Sequence, residues 1–281
     1  MIFDFRLRPP YGEFSRLGIF QPLPCNAQAP LKYHSRRTES AFTTSMDAFF
    51  AEMREAGIGR GVVMPRATSS AQENVSNECV HELASTYPEV FVPFGGIDVS
   101  GGISRALAEL EACVRMGFKG IAMEPGYFSP PRKADHATLY PIYAQCEKLG
   151  LPVVLTLSLY QGPTLSFCEP ATVQQVARDF PGLQIVVAHA CYPWIPQIFS
   201  VAAVCSNVWL LPDLYLLNPM TPGNEMYANA LRWLDCERVL FGSAYPCYDM
   251  RQAVEDMDRF DLTPAQKKKI MYGNAKALLH L

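Results

Sequence analysis

Two arginines spaced two residues apart near the start of the chain form its most distinctive polar pair. Arg6 and Arg8 stand in the run Asp-Phe-Arg-Leu-Arg. In a β-strand, residues i and i+2 point to the same face, so both guanidinium groups would lie on one side. A guanidinium stays protonated and pairs with a carboxylate through two parallel hydrogen bonds, which makes the pair a candidate clamp for an anion. The alternative is a buried ion network in which Asp4, Glu124 or Asp213 neutralises the arginines.

Three further residues could transfer protons. His189 follows the apolar run Ile-Val-Val-Ala, and the ordinary histidine pKa of about 6.5 suits a general base or acid near neutral pH. Glu124 and Asp213 also follow apolar runs, and each needs a partner because an unpaired buried carboxylate is costly. We predict these three as catalytic residues, although each acid can equally serve as a counter-ion. Tyr245 is either an ordinary packed tyrosine or a donor to a developing oxyanion.

The elements that must position these residues alternate along the chain. Short β-rich runs lie at 2–6, 61–65, 90–97, 120–124, 153–157, 185–189, 208–212 and 239–242. Segments with apolar residues three and four apart lie between and after them, at 46–56, 74–86, 104–116, 139–149, 171–180, 195–205, 227–234, 250–260, 264–272 and 275–281. Strand–helix alternation predicts a parallel α/β sheet, because each parallel crossover needs a helix.

We predict a single (β/α)8 (TIM) barrel that forms one domain over residues 1–281. An open doubly wound sheet is the alternative, but no Gly-rich phosphate loop follows the first strand and the eight units use the whole chain. Reacting groups of such barrels lie at the carboxyl ends of the strands, where all the candidate residues fall. An irregular insertion at 9–44 follows the first strand, so we expect it to lie over this face and to build a homodimer.

Composition excludes several other classes of function. The chain is 49% hydrophobic and 18% charged with a net charge of -3, so it lacks the dense positive surface that nucleic acid requires. It has no apolar run long enough to span a membrane and no signal-peptide pattern at its start. Its nine cysteines include no Cys-x-x-Cys pair, which favours reduced thiols in a cytoplasmic protein over disulfides or a zinc finger.

Several motifs occur in an order that suggests a known family. They are Gly-Phe-Lys-Gly at 117–120, Ala-His-Ala-Cys-Tyr-Pro-Trp at 188–194, Leu-Phe-Gly-Ser-Ala-Tyr-Pro at 240–246 and Gly-Asn-Ala at 273–275. Together they resemble the amidohydrolase-related family that includes aminocarboxymuconate-semialdehyde decarboxylase and its hydrolase and hydratase relatives. The resemblance covers nearly the whole chain and implies the same barrel.

The resemblance also shows where this chain departs from its family. Members carry a divalent metal site, and four of its five positions are replaced here: the two first-strand histidines by Arg6 and Arg8, and the others by Thr156 and Ala244. Only His189 remains. An arginine has no lone pair to offer, and its fixed charge repels a divalent cation. We therefore predict no metal and no cofactor. The alternative is a non-standard site formed by Glu124, His189 and Asp213, with or without Asp4.

These observations predict a metal-independent hydrolase acting on a small carboxylate-bearing substrate, such as a lactone or similar ester. Arg6, Arg8 and Tyr245 would bind the substrate, while His189, supported by Glu124 or Asp213, would move a proton or activate water. The resemblance supports this by analogy, since family relatives include lactonases that work without metal. The alternatives are a decarboxylase or hydratase of a small carboxylic acid, and a barrel that binds small acids without catalysis.

Overall fold

The computed structural model describes residues 1–20, 38–68, 70 and 73–281. Within these residues every paired strand runs parallel to its neighbours. The strands are β1 Ile2–Leu7, β2 Ile58–Val63, β3 Phe91–Pro93, β4 Gly95–Gly96, β5 Ile121–Met123, β6 Val153–Ser158, β7 Ile185–Tyr192 and β8 Val208–Leu211. They are rich in Val, Ile and Leu, as expected of a parallel sheet that is covered by helices.

Hydrogen bonds close these strands into a barrel. The strands form two sheets, in the orders β1-β2-β3 and β4-β5-β6-β7-β8. Phe94 joins them, because it links β3 to β4 along the chain and its backbone N–H donates to the Val63 carbonyl of β2. Strands β3 and β4 therefore act as one strand of the barrel. The predicted last strand at 239–242 pairs with β8 through a bridge between Leu210 and Val239. It reaches β1 through Phe5, whose backbone N–H donates to the Phe241 carbonyl over 2.8 Å. The predicted (β/α)8 barrel is confirmed.

Helices lie between and after the strands. They are α1 Glu39–Thr43, α2 Met46–Glu55, α3 Asn77–Thr86, α4 Ile103–Arg115, α5 Tyr140–Leu149, α6 Pro170–Asp179, α7 Ile195–Val204, α8 Asp213–Leu217, α9 Met226–Trp233, α10 Met250–Asp256, α11 Pro264–Lys268 and α12 Asn274–Leu279. All but α1 and α8 fall where the apolar periodicity predicts them. Side chains cap several N-termini, for example Ser45 on α2 and Ser76 on α3. None of the described helices has both the length and the apolar character needed to cross a membrane.

The predicted insertion at 9–44 contains local helical structure. Two 3-10 helices, Gly12–Arg16 and Gly18–Phe20, follow β1, and α1 begins at Glu39. Residues 21–37 lie outside the described residues, so the expectation that this insertion covers the strand ends and builds a homodimer stays a prediction.

Two apolar clusters form the core. The larger one fills the space between strands and helices, and the smaller one fills the barrel interior. Interior members include Phe3, Phe5, Val62, Met64, Phe94, Val154 and Val186, with Ala275 and Leu278 of α12 packed on the same cluster. The Arg6 side chain reaches the Sδ atom of Met64 at 3.7 Å. The polar residues at the strand ends therefore pack directly on the apolar residues of the barrel interior.

Candidate active site

A cavity of about 240 Å³ opens where the carboxyl ends of the strands meet. Its lining includes five of the six predicted site residues, Arg6, Arg8, Glu124, His189 and Tyr245. The sixth, Asp213, contacts two of them at the start of α8. The cavity is smaller than the roughly 300–1,000 Å³ of pockets for drug-sized ligands, so it has room for a small molecule only.

His189 and Asp213 form a hydrogen-bonded pair at the ends of β7 and β8. His189 Nδ1 lies 2.8 Å from Asp213 Oδ1. Because an ionised carboxylate only accepts hydrogen bonds, Nδ1 carries the proton and Nε2 keeps its lone pair. Burial lowers the pKa of His189 below its ordinary value and Arg6 acts in the same direction, while Asp213 opposes them. His189 is therefore a neutral imidazole at neutral pH.

Arg6 contacts both members of this pair. One of its terminal nitrogens lies 3.4 Å from His189 Nε2, and its Nε lies 3.6 Å from Asp213 Oδ2. The other terminal nitrogen donates to Thr156 Oγ1 at 3.4 Å. These contacts are long, so Arg6 keeps capacity to donate to an incoming oxygen atom. One end of the Arg6 guanidinium group thus lies next to the basic nitrogen, Nε2, of His189.

Arg8 belongs to a second charged group on the other side of the cavity. It donates to Glu124 Oε1 at 2.6 Å, and Arg66 Nε lies 3.5 Å from Glu124 Oε2. Burial would raise the pKa of Glu124, but Arg8 and Arg66 outweigh it and hold that pKa below its ordinary value. Burial lowers the pKa of Arg8 to about 10, which leaves it protonated at neutral pH. Glu124 is thus an ionised counter-ion for two guanidinium groups.

Tyr245 lines the cavity, and its hydroxyl group already has a partner. The hydroxyl oxygen lies 2.7 Å from Ser40 Oγ of α1, and Ser40 in turn donates to Glu52 of α2. The Tyr245 ring packs edge-on against Phe49. This network ties the helices after the insertion to the strand ends. The expected role of Tyr245 as a donor to substrate stays a prediction.

Sequence reasoning missed several lining residues, of which Arg66, Tyr127 and Gln161 carry the most chemistry. Arg66 lies three residues after β2 and its guanidinium stands 5.4 Å from the centre of the Tyr127 ring. The rule that polar residues after a strand face the barrel mouth would have found Arg66, had it been applied to the second strand. Gln161 lies in the loop after β6, where no periodicity marks a position as buried.

Left-handed backbone conformations concentrate at these strand ends. His189, Ala190 and Cys191 have φ values of 64°, 43° and 52°, and Asp213 and Ala244 have 40° and 58°. Non-glycine residues rarely adopt such values, and they persist only where surrounding structure holds them. Strain gathered at one face of the barrel is typical of a functional site.

The residues at these strand ends do not fit the divalent metal that the family resemblance implies. Across the described residues, no three His, Cys, Asp or Glu side chains gather around a point where one ion could bind. Glu124 is engaged by arginines, Ala244 has no side-chain donor atom, and a guanidinium nitrogen of Arg6 lies 3.4 Å from His189 Nε2. A cation placed there would meet fixed positive charge.

Comparison with known proteins agrees with this fold. A profile described as amidohydrolase matches residues 20–281. The chain belongs to the amidohydrolase family. This confirms the resemblance that the motifs suggested.

Three relatives show how far the likeness of this amidohydrolase extends. An uncharacterized TIM-barrel protein from Bordetella bronchiseptica is 33% identical and superposes with a TM-score of 0.89, over 99% of this chain and 98% of that one. γ-Resorcylate decarboxylase from Polaromonas sp. is 23% identical over 77% of this chain and 78% of its own. A probable 2-pyrone-4,6-dicarboxylic acid hydrolase from Acinetobacter baumannii, with citric acid bound, is 13% identical with a TM-score of 0.65, covering 100% and 99%.

Proposed function

We propose that this amidohydrolase is a metal-independent hydrolase that opens a lactone or similar ester carrying a carboxylate. One observation carries the proposal: the guanidinium groups of Arg6, Arg8 and Arg66 line the same small cavity as His189. Among the described residues, Glu124 is the one carboxylate that lines this cavity. Asp213 and Glu73 pair with Arg6 and Arg66 without lining it, so guanidinium groups outnumber carboxylates on the cavity wall itself. Such a wall attracts an anion and disfavours a cation.

Arg8 and Arg66 have hydrogen-bonding capacity to spare for a carboxylate. The buried Nε atoms of both residues make no hydrogen bond within the part of the chain that the structure describes, and the contact of Arg66 Nε with a carboxylate oxygen of Glu124 is an ion pair only, at 3.5 Å. Unsatisfied buried donors are costly, and a bound carboxylate would satisfy them with charge-assisted hydrogen bonds. This supports Arg8 and Arg66, together with Arg6, as the substrate-binding group.

His189 would act as the general base for water. Its Nε2 accepts a proton from a water molecule whose oxygen attacks the ester carbonyl carbon, and Asp213 stabilises the imidazolium that forms. The ester C–O bond then breaks, and the proton passes from Nε2 to the departing oxygen. An ester carbonyl of a strained ring is already electrophilic, so a positioned base and guanidinium donors for the developing oxyanion can suffice.

The proposal is tested with a panel of carboxylate-bearing lactones, followed by proton release in weakly buffered solution. The matched control for each compound is its methyl ester, which keeps the lactone and removes the charge. We expect turnover of at least one acid and little turnover of its ester. Substituting His189→Gln should lower kcat by about 10²–10⁴-fold. Equal turnover of acid and ester, or full activity without His189, would contradict the proposal.

A decarboxylase of a small carboxylic acid is the second candidate, because a relative at 23% identity is named γ-resorcylate decarboxylase. The same panel, extended to hydroxylated benzoic acids, separates the two reactions, since a decarboxylase releases carbon dioxide and a lactonase does not. A barrel that only binds acids would be stabilised against heat by them and would turn none over.

A further inference from the structure

A buried amide in the cavity wall has no protein partner for its oxygen. Gln161 lines the cavity and is 5% exposed. Its Oε1 atom accepts no hydrogen bond from the residues that the structure describes. Leaving a buried acceptor unsatisfied is costly, so such groups are rare in folded proteins and call for an explanation.

The loop that carries Gln161 is held firmly in place. The backbone N–H of Gln161 donates to the Ser158 carbonyl at 2.9 Å. The loop after β5 packs directly on it, because a Cβ atom at Gly126 would lie 2.5 Å from the carbonyl carbon of Gln161. Glycine at 126 is what permits this close approach. The amide therefore belongs to a preorganised wall, on the side of the cavity formed by the loop after β5.

The groups beside Gln161 define what could satisfy it. Glu124 and Tyr127 lie on either side of the Pro125-Gly126 pair in the loop after β5, and the guanidinium of Arg66 stands over the Tyr127 ring. The wall thus offers an amide oxygen that accepts, and the unsatisfied Nε–H groups of Arg8 and Arg66 that donate. A hydroxyl group both donates and accepts. It matches the amide oxygen, whereas a second carboxylate would face that oxygen with another acceptor.

We infer that Gln161 is a specificity-determining residue that accepts a hydrogen bond from a hydroxyl group of the ligand, so the site favours small hydroxy acids over plain acids. The inference rests on the proposed function in one respect, since the arginines are taken to hold the ligand carboxylate. A site built to pair a substrate hydroxyl discriminates strongly against analogues that lack it, because the buried polar group is then left unpaired.

Calorimetric titration of matched acids tests this inference. The ligands are benzoate and its three monohydroxy isomers, measured on the unchanged protein, on Gln161→Met and on Gln175→Met as a control in the exposed face of α6. We expect at least one isomer to bind about 10-fold more tightly than benzoate, as one good hydrogen bond allows. This advantage should vanish in Gln161→Met and persist in Gln175→Met, while the affinity for benzoate stays within about twofold.

Thermal unfolding without ligand provides a second readout. Replacing an unsatisfied buried amide by an apolar side chain of similar length should leave the melting temperature unchanged or raise it, whereas a merely structural glutamine would lower it. If the acids bind but no hydroxy isomer binds more tightly than benzoate, or if the preference for that isomer survives in Gln161→Met, the role of Gln161 is contradicted while the proposed function stands. If none of the four acids binds, the proposed carboxylate site is contradicted and the inference falls with it.

Discussion

Burial and the contact with Arg6 both favour the neutral form of His189 on which the proposed chemistry depends. Burial is the larger cause of the lowered pKa of His189, and a permanent positive charge 3.4 Å from Nε2 acts in the same direction. Asp213 opposes both from the other side of the ring. A bound carboxylate would offset the charge of Arg6 and so make His189 more basic when substrate is present. Ligand binding and proton transfer would then be coupled through one guanidinium group.

The titration of His189 tests this coupling. Its lowered pKa means that the imidazole stays neutral down to a pH below the ordinary midpoint of about 6.5, so base catalysis should be lost only as the pH falls through that lower value. Arg6→Met should raise the midpoint, and saturating benzoate should raise it in the unchanged protein. Nitrogen-detected NMR of the histidine ring measures the midpoint directly.

The control for this titration is Arg16→Met, which removes an exposed arginine near the start of the insertion. It should leave the His189 midpoint unchanged. A midpoint above the ordinary value in the unchanged protein, or one that ignores the loss of Arg6, would show that Arg6 does not govern this base.

Glu124 holds two guanidinium groups, and its removal separates a counter-ion from a catalytic base. Glu124→Gln leaves buried positive charge uncompensated, which we expect to lower the free energy of unfolding by about 3–5 kcal/mol. The same substitution should strengthen the binding of benzoate, because a competing carboxylate is gone. Urea unfolding and calorimetry measure the two effects.

Glu73→Gln is the matched control, since Glu73 also pairs with Arg66 but is partly exposed. Its cost should be only about 0–1 kcal/mol. If Glu124→Gln weakens benzoate binding instead, the counter-ion role is wrong.

The sequence predicted which residues meet at the cavity better than it predicted their partners. Strand-end position placed Arg6, Arg8 and His189 correctly, because parallel strands of a closed barrel deliver their carboxyl ends to one face. It left open whether the arginines clamp a ligand or form an internal ion network, and the structure shows that both pair with protein groups. The sequence could not predict that the side-chain oxygen of Gln161 lacks a hydrogen-bond partner, because hydrogen bonding there depends on distances between loops that are remote in sequence.

At the scale of the strands, Asp4 secures the seam at which the barrel closes. Its carboxylate accepts from the backbone N–H of Ser243 at 3.1 Å and from that of Arg6 at 2.9 Å. The segment at 239–242 meets its neighbours through isolated bridges instead of a continuous ladder. The side chain of Asp4 therefore supplies part of the pairing that a longer strand would provide.

Burial gives this seam a measurable pH dependence. It raises the pKa of Asp4 from 3.8 to about 7. The folded chain thus retains a proton that the unfolded chain releases between these values, so the contribution of Asp4 to stability falls as the pH rises through that window. The stability advantage of the unchanged protein over Asp4→Asn should be larger at pH 5 than at pH 8, by a few kcal/mol.

Urea unfolding at the two pH values measures this difference, and Asp261→Asn is the control because Asp261 is almost fully exposed. That variant should show no such trend. If the stability advantage of the unchanged protein over Asp4→Asn increases with pH instead, the folded protein favours the ionised form of Asp4 and the expected sign is wrong.

Element boundaries followed from periodicity wherever an element had a regular apolar face. Helices α2, α5 and α7 begin and end within one residue of the predicted ranges 46–56, 139–149 and 195–205. The short helix α8, Asp213–Leu217, was not predicted, because five residues are too few to show a period. The predicted strand at 90–97 is divided at Phe94. The backbone N–H of Phe94 still bonds Val63 of β2, whereas that of the next residue, Gly95, bonds Gly120 just before β5. Such a break depends on tertiary pairing and leaves no mark in the local sequence.

For the molecule as a whole, the charge of the barrel mouth decides which ligands it can hold. Guanidinium groups stand at the end of β1 and after β2, and their counter-charges at Glu124 and Asp213 are already engaged. A divalent cation would have to displace these ion pairs and then tolerate the arginines. An anion needs only to accept hydrogen bonds that the arginines have left unused.

Because the arginines favour an anion over a cation, we predict that the folded protein neither binds nor needs a divalent metal. Protein purified from medium supplemented with zinc and manganese should contain well under one equivalent of either, measured by inductively coupled plasma mass spectrometry. Treatment with a chelator should change neither its melting temperature nor its activity on the best lactone, whereas a protein with a bound ion would lose the stabilisation that binding provides. Benzoate should raise the melting temperature with and without chelator. One full equivalent of metal, together with loss of activity on chelation, would show that the arginines surround a cation after all, and the anion-binding site would have to be abandoned.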